Sequence, residues 1–167
     1  KVEANRNFAN KIWNATRFIL MNLENMQGKP LKPDKLETAD KWIISRYNRL
    51  VGEVTENLNK YELGLAAQKI YDFIWNEFCD WYIELVKPRL YGTDEAARGT
   101  ALYTLVYVLT NTLKLLHPFM PFITEELWQH LPHEGESIMI SSWPVVNEAE
   151  LNESAESEMQ AIMDAIR

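Results

Sequence analysis

The chain of 167 residues has one cysteine, Cys79, so no intramolecular disulfide can form and a reducing compartment is favoured. Only 6 Gly and 7 Pro are present, too little turn chemistry for a many-stranded sandwich or barrel. Long apolar runs are missing too. The longest stretch without charge, Gly99 to Leu113, spans 15 residues, short of the ~20 that cross a bilayer, so no membrane partner is expected. No charged-then-apolar signal segment precedes the helical pattern. A basic excess is also absent. Lys and Arg number 17 against 24 Asp and Glu, a formal net charge of −7. That excludes a general nucleic-acid wrapper but leaves room for a local site. Glycine-rich phosphate loops are lacking. The 3 histidines, His117, His130 and His133, have no ligand cluster around them. No catalytic residue, metal ligand or cofactor site is therefore expected within the chain.

What is present is core material and helical period. Apolar residues make up 47% and charged residues 25%, with 6 Trp, 7 Tyr and 6 Phe. These values suit one globular domain of roughly 150 residues. A first helix is predicted from about Val2 to Met26. Its stripe of Phe8, Ile12, Ala15, Ile19 and Leu23 repeats at helical spacing, and Gly28 with Pro30 ends it. A second runs from about Ala39 to Asn59 with Thr38 as N-cap and Trp42, Ile43, Leu50 and Val54 inward. A third runs from about Leu63 to Val86, closed by Pro88, and is apolar nearly all round, as a central helix would be. A fourth runs from about Asp94 to Leu116, opened by Thr93. A short helix follows at Pro121–His130, and Ser137–Trp143 reads as extended. Short connections make neighbours antiparallel. The expected fold is all-α, an up-down bundle of four long helices plus short C-terminal helices. Residues 1–145 form the bundle, and residues 146–167 a linker and the start of a further helix. Both ends break into helical pattern, which suggests a domain excised from a longer protein.

Charge is uneven along the chain. Residues 1–35 carry 7 basic and 3 acidic groups, net +4, and residues 87–120 carry 4 and 2, net +2. Residues 121–167 carry 1 basic and 10 acidic groups, net −9. In an alternating bundle the first and third connections share an end. Lys29, Lys32 and Lys35 then gather near Lys87, Arg89 and Arg98, and two helix N-termini point their free N–H groups the same way. An ordinary solvated bundle end is the plain alternative.

The polar face of the first helix adds chemistry. At about 100° per residue, Phe18 falls about 100° from the centre of the apolar stripe, between Lys11 and Asn14, with Arg17 beyond. An aromatic ring beside amides and cations suits stacking on an unpaired base. Packing of Phe18 against a neighbouring helix is the alternative. Glu84 opposes the dipole of the third helix and continues a polar stripe of Asp72, Asn76 and Asp80. It could accept a hydrogen bond from an exocyclic amine.

Three segments resemble a known family. Arg6-Asn7-Phe8-Ala9-Asn10-Lys11-Ile12-Trp13-Asn14-Ala15-Thr16-Arg17-Phe18 and Ile74-Trp75-Asn76-Glu77-Phe78-Cys79-Asp80-Trp81-Tyr82-Ile83-Glu84, followed by Lys87-Pro88, resemble two helices of the valyl-tRNA synthetase anticodon-binding domain. Leu116-His117-Pro118-Phe119-Met120-Pro121-Phe122-Ile123-Thr124-Glu125-Glu126-Leu127-Trp128 resembles a closing motif shared with the isoleucine and leucine enzymes. The resemblance implies a class I anticodon-binding domain that grips the anticodon stem-loop of valine tRNA beside the catalytic domain of a cytoplasmic parent enzyme. It implies that Phe18 stacks on the anticodon, that Lys11, Asn14 and Arg17 line the same surface, and that Ile83 and Glu84, with Lys87 beside them, approach the same bases. The family's ATP-handling motifs, His-Ile-Gly-His and Lys-Met-Ser-Lys-Ser, are absent. ATP would belong to the parent enzyme, and this chain alone would neither aminoacylate nor edit. Residues 146–167 resemble the linker and first turns that lead to the family's C-terminal coiled-coil arm. The anticodon domain of an isoleucyl enzyme and a helical protein-interaction module remain as alternatives.

Overall fold

The computed structural model describes residues 2–29 and 31–167. Seven α-helices are present among the described residues: α1 (Val2–Glu24), α2 (Thr38–Asn59), α3 (Leu63–Asp72), α4 (Glu84–Tyr91), α5 (Glu95–Leu116), α6 (Pro121–His130) and α7 (Glu153–Ile166). A π-helical segment, Phe73–Ile83, joins α3 to α4 without a break, so the three form one long composite helix. The described residues contain no strand. The architecture is an all-α bundle.

α1 buries Phe8, Ile12, Ala15 and Ile19, the stripe its spacing predicts. Two polar residues go in with them. Thr16 donates to the Ile12 carbonyl at 2.8 Å and Asn22 to the Phe18 carbonyl at 2.8 Å, so neither leaves a donor unpaired. The helix ends where Gln27 (φ 53°) and Gly28 (φ 76°) turn left-handed. Pro30, the other expected stop, lies outside the described residues.

Contacts along the seams give the directions. Phe8 meets Tyr71 (ring centroids 4.5 Å apart) and Lys11 meets Asp80, while Phe18 lies beside Lys87. α1 and the composite helix thus run parallel, with α2 and α5 antiparallel to both. The first connection closes onto the start of α5. Lys29 pairs with Glu95 at 3.0 Å, and the Asp34 N–H donates to the Thr100 hydroxyl at 2.9 Å. The first and third connections therefore share an end, as expected of an alternating bundle.

Several local expectations are corrected. Thr38 is the first residue of α2, and its N-cap is Glu37, whose N–H donates to the Asp40 carboxylate at 2.9 Å. Asp94, not Thr93, caps α5 and accepts from the Ala97 N–H at 3.2 Å. Pro88 does not end the third helix. It sits inside α4, which continues to Tyr91 although the proline supplies no N–H for the Glu84 carbonyl. Asp72, Asn76, Asp80 and Glu84 remain exposed, so the composite helix has a wet face. The most deeply buried helix is α5, with a half-exposed face at Tyr103, Tyr107, Thr110 and Lys114 beyond its first turn. Its Thr104 and Thr112 hydroxyls donate to carbonyls one turn back, which makes their burial tolerable. Ser137–Trp143 is not extended throughout, since Ile138–Ile140 forms a 3₁₀ turn capped by Ser137.

Residues 143–167 run back along α2. The Trp143 indole donates to Thr55 at 3.0 Å, the Asn147 N–H to Asn48 at 2.8 Å and the Asn152 N–H to Ser45 at 2.8 Å. Ala155, Met159 and Met163 of α7 are buried. α1 packs on α5, α6 and the π segment, so the acidic α7 lies across the bundle from it.

Candidate nucleic-acid interface

The seam between α1 and the composite helix collects most of the expected site residues. Phe18 is half-buried and packs against the core, so its ring is neither engulfed nor fully exposed. The Lys87 ammonium lies 5.7 Å from its ring centroid, within cation–π range. Lys87 also pairs with Glu84 at 2.6 Å. One turn and more toward the start of α1, Lys11 pairs with Asp80 at 2.6 Å and lies 4.4 Å above the Trp75 ring. Asn14 and Arg17 are exposed between these two clusters, and Arg17 has no carboxylate partner among the described residues.

Ile83 stands apart from this set. It is 6% exposed and belongs to the core, so it supports Glu84 and Lys87 from beneath and presents almost no surface. Arg89 is a second departure. It counts toward the basic end in the sequence, yet it is spent internally. Its guanidinium forms a two-pronged contact with Asp40 at 2.8 and 3.0 Å and an ion pair with Glu37 at 2.5 Å. Arg98 is likewise engaged with the Gly92 carbonyl. Lys32, Lys35 and Lys41 remain as exposed cations without a carboxylate partner among the described residues.

The two lysine pairs on the seam are partly solvated, with side-chain exposures of 29% and 46% for Lys11–Asp80 and 35% and 59% for Lys87–Glu84. Exposed ion pairs contribute roughly 0–1 kcal/mol, so a phosphate can displace the carboxylate at little cost. The surface therefore offers an aromatic ring, two exchangeable ammonium groups, one unpaired guanidinium and an exposed amide. That set suits single-stranded nucleic acid: stacking on the ring, charge on the backbone, amides at base edges.

Asp80 and Trp75 hold Lys11 on this seam, contacts between two helices that the pattern of neither helix alone announces. The polar stripe through Asp80 lies on the same composite helix as Glu84. Two histidines are structural, and the third, His130, is exposed beside Glu126 at 3.4 Å. His117 shares a 2.8 Å hydrogen bond with Thr124 and His133 stacks on Trp128 at 3.9 Å. Burial pushes the Cys79 thiol up to about 12, which leaves it unreactive at neutral pH.

Residues 40–167 match the family model described as the anticodon-binding domain of tRNA ligase. The chain belongs to that family. As an anticodon-binding domain it is similar over its whole length to longer proteins. It is 58% identical over 168 aligned residues to the valine–tRNA ligase of Clostridium acetobutylicum and 52% identical over 168 to that of Bacillus cereus. It spans 19% of the length of each of these relatives. Its fold is shared with a chain in the LeuRS–tRNA–LeuAMS ternary complex of Agrobacterium radiobacter, at TM-score 0.60 and 18% identity, covering 89% of this chain and 17% of that one.

Proposed function

We propose that this domain binds the anticodon stem-loop of valine tRNA on the seam between α1 and the composite helix, as part of a longer valine–tRNA ligase. The observation that carries the reading is the convergence of Phe18, Lys87 and Glu84 at one end of that seam, in a chain 58% identical to valine–tRNA ligases along its whole length. In this reading the ring of Phe18 stacks on a splayed anticodon base. Glu84 accepts from an exocyclic amine once Lys87 turns to a phosphate. Lys11, Asn14 and Arg17 hold the neighbouring nucleotides, and Ile83 backs the floor.

Catalysis and ATP belong to the remaining part of the polypeptide, which acts in the cytoplasm. Among the described residues no helix is long and apolar enough to cross a membrane. Surface for docking to the catalytic part is available beside α6. Phe122 is 90% exposed, and Met139 and Ile140 are 74% and 72% exposed on a turn tied to α6 by the Glu125–Ile138 hydrogen bond of 2.9 Å.

The test is a titration of the domain with valine, isoleucine and leucine anticodon stem-loops at one salt concentration. A preference for the valine loop is expected. Equal affinity for all three would contradict the reading, and a preference for the isoleucine loop would move the domain to that enzyme.

A further inference from the structure

The seam does not end at Lys11. Toward the start of α1 it opens into a groove of about 610 Å³ walled by Asn5, Asn7 and Phe8 on α1 and by Tyr71, Trp75 and Asn76 on the composite helix, with the Asp72 carboxylate, which accepts from the Gln68 amide at 2.9 Å, also lining it. Three features set it apart from an ordinary inter-helix furrow. The Asn5, Asn7 and Asn76 side chains are exposed and make no hydrogen bond among the described residues. Tyr71 and Trp75 are half-buried, so each ring is fixed by the core yet reaches the groove. Lys11, already placed on the RNA-binding face, lies 4.4 Å over Trp75, so one cation joins groove and face.

We propose that this groove is a second nucleotide subsite, which takes an unpaired base of the same RNA between the aromatic wall and the asparagine amides. This rests on the RNA-binding reading of the Phe18 end. Its volume lies within the roughly 300–1,000 Å³ of small-ligand sites. Fixed aromatic rings supply sequence-tolerant stacking, and free amides, each a donor and an acceptor, supply edge recognition. Phe8 and Phe18 are ten residues apart on α1, which is about 15 Å of helix. At about 3.4 Å per stacked nucleotide, a base in the groove lies about four nucleotides from the one on Phe18, within reach of one loop and its flank.

The experiment is a set of titrations with valine stem-loops carrying a single abasic site at each unpaired position in turn, against three proteins: wild type, Phe18→Ala and the double variant Asn7→Ala/Asn76→Ala. Both asparagines are exposed, so the double variant should fold. The double variant is expected to bind the intact loop about tenfold more weakly through the loss of two hydrogen bonds. It should also become indifferent to one abasic position, different from the one to which Phe18→Ala becomes indifferent. In a parallel NMR titration of the wild type, the Asn7 and Asn76 side-chain amide resonances should shift. If the double variant binds as wild type does, keeps every abasic penalty, and those resonances stay still, the subsite does not exist, whatever becomes of Phe18. If the wild type itself shows no preference among stem-loops, it is the RNA-binding reading that has failed.

Discussion

Asp40 has no exposed surface, yet its carboxylate is saturated with donors: the Tyr82 hydroxyl at 2.5 Å, the Arg89 fork at 2.8 and 3.0 Å and the Glu37 N–H at 2.9 Å. Burial first, then the Asp40 charge, drives the Tyr82 phenol far above its ordinary value, so it stays a donor at any physiological pH. Removing one member of a buried ion pair strands the other and costs about 3–5 kcal/mol. Asp40→Ala is therefore expected to lower the stability extrapolated from urea unfolding by about 3 kcal/mol, the low end because Glu37 still faces Arg89, with an unchanged slope; a loss below about 1 kcal/mol would show the Arg89 charge to be solvated after all. The same residues show where sequence reading stops. The off-stripe position of Phe18 is legible because one helix fixes it. The fate of Arg89 is not, because its partners lie 49 and 52 positions away and Pro88 hides the turn that delivers it.

α2 carries a glycine at its centre, Gly52, where a Cβ would meet only the Val146 side chain at 3.4 Å, an ordinary contact. Gly52→Ala should stabilise the domain by about 0.5–1 kcal/mol through backbone entropy alone; destabilisation by thermal melt would mean that residues 143–152 cannot yield. α7 depends on charge. Burial acts to raise the Glu156 carboxyl, but hydrogen bonds from Arg49 at 2.6 Å and Ser45 at 2.8 Å, with the arginine charges, outweigh it and hold the group below its ordinary 4.5. A depressed acid contributes stability above its unfolded value and loses it as pH falls through the folded one. α7 should therefore loosen below about pH 4.5, seen as lower amide protection factors in residues 153–166. In Glu156→Gln the protection factors should already be low at pH 7 and change little on acidification. At this scale the long helices are legible from their period, whereas the caps slip by a residue and the π segment carries no signature in the sequence.

The whole molecule separates its charges by topology. The acidic C-terminal segment is laid along α2 while the candidate RNA face lies on α1, so a chain of net charge −7 still offers a cationic seam. The shared end of the first and third connections follows from connection lengths and is legible in the sequence; the packing of the acidic segment along α2 and the pairing of Lys29 with Glu95 and of Lys87 with Glu84 are not, and the two pairings reduce the free basic charge at that end. Lys32 stays exposed without a carboxylate partner among the described residues. Lys32→Ala should weaken all stem-loops alike and reduce the slope of log affinity against log salt by about one. Loss of discrimination between loops would instead give Lys32 a base contact.

Phe18 carries the most weight, and one comparison addresses it directly: the affinity of the valine anticodon stem-loop for the wild-type domain and for Phe18→Ala, at one salt concentration and with melting curves to confirm that both are folded. Loss of a stacked base should weaken binding by about 1–3 kcal/mol, roughly five- to 150-fold. Equal affinity of the two folded proteins would show that the ring touches no nucleotide and that the anticodon is read elsewhere.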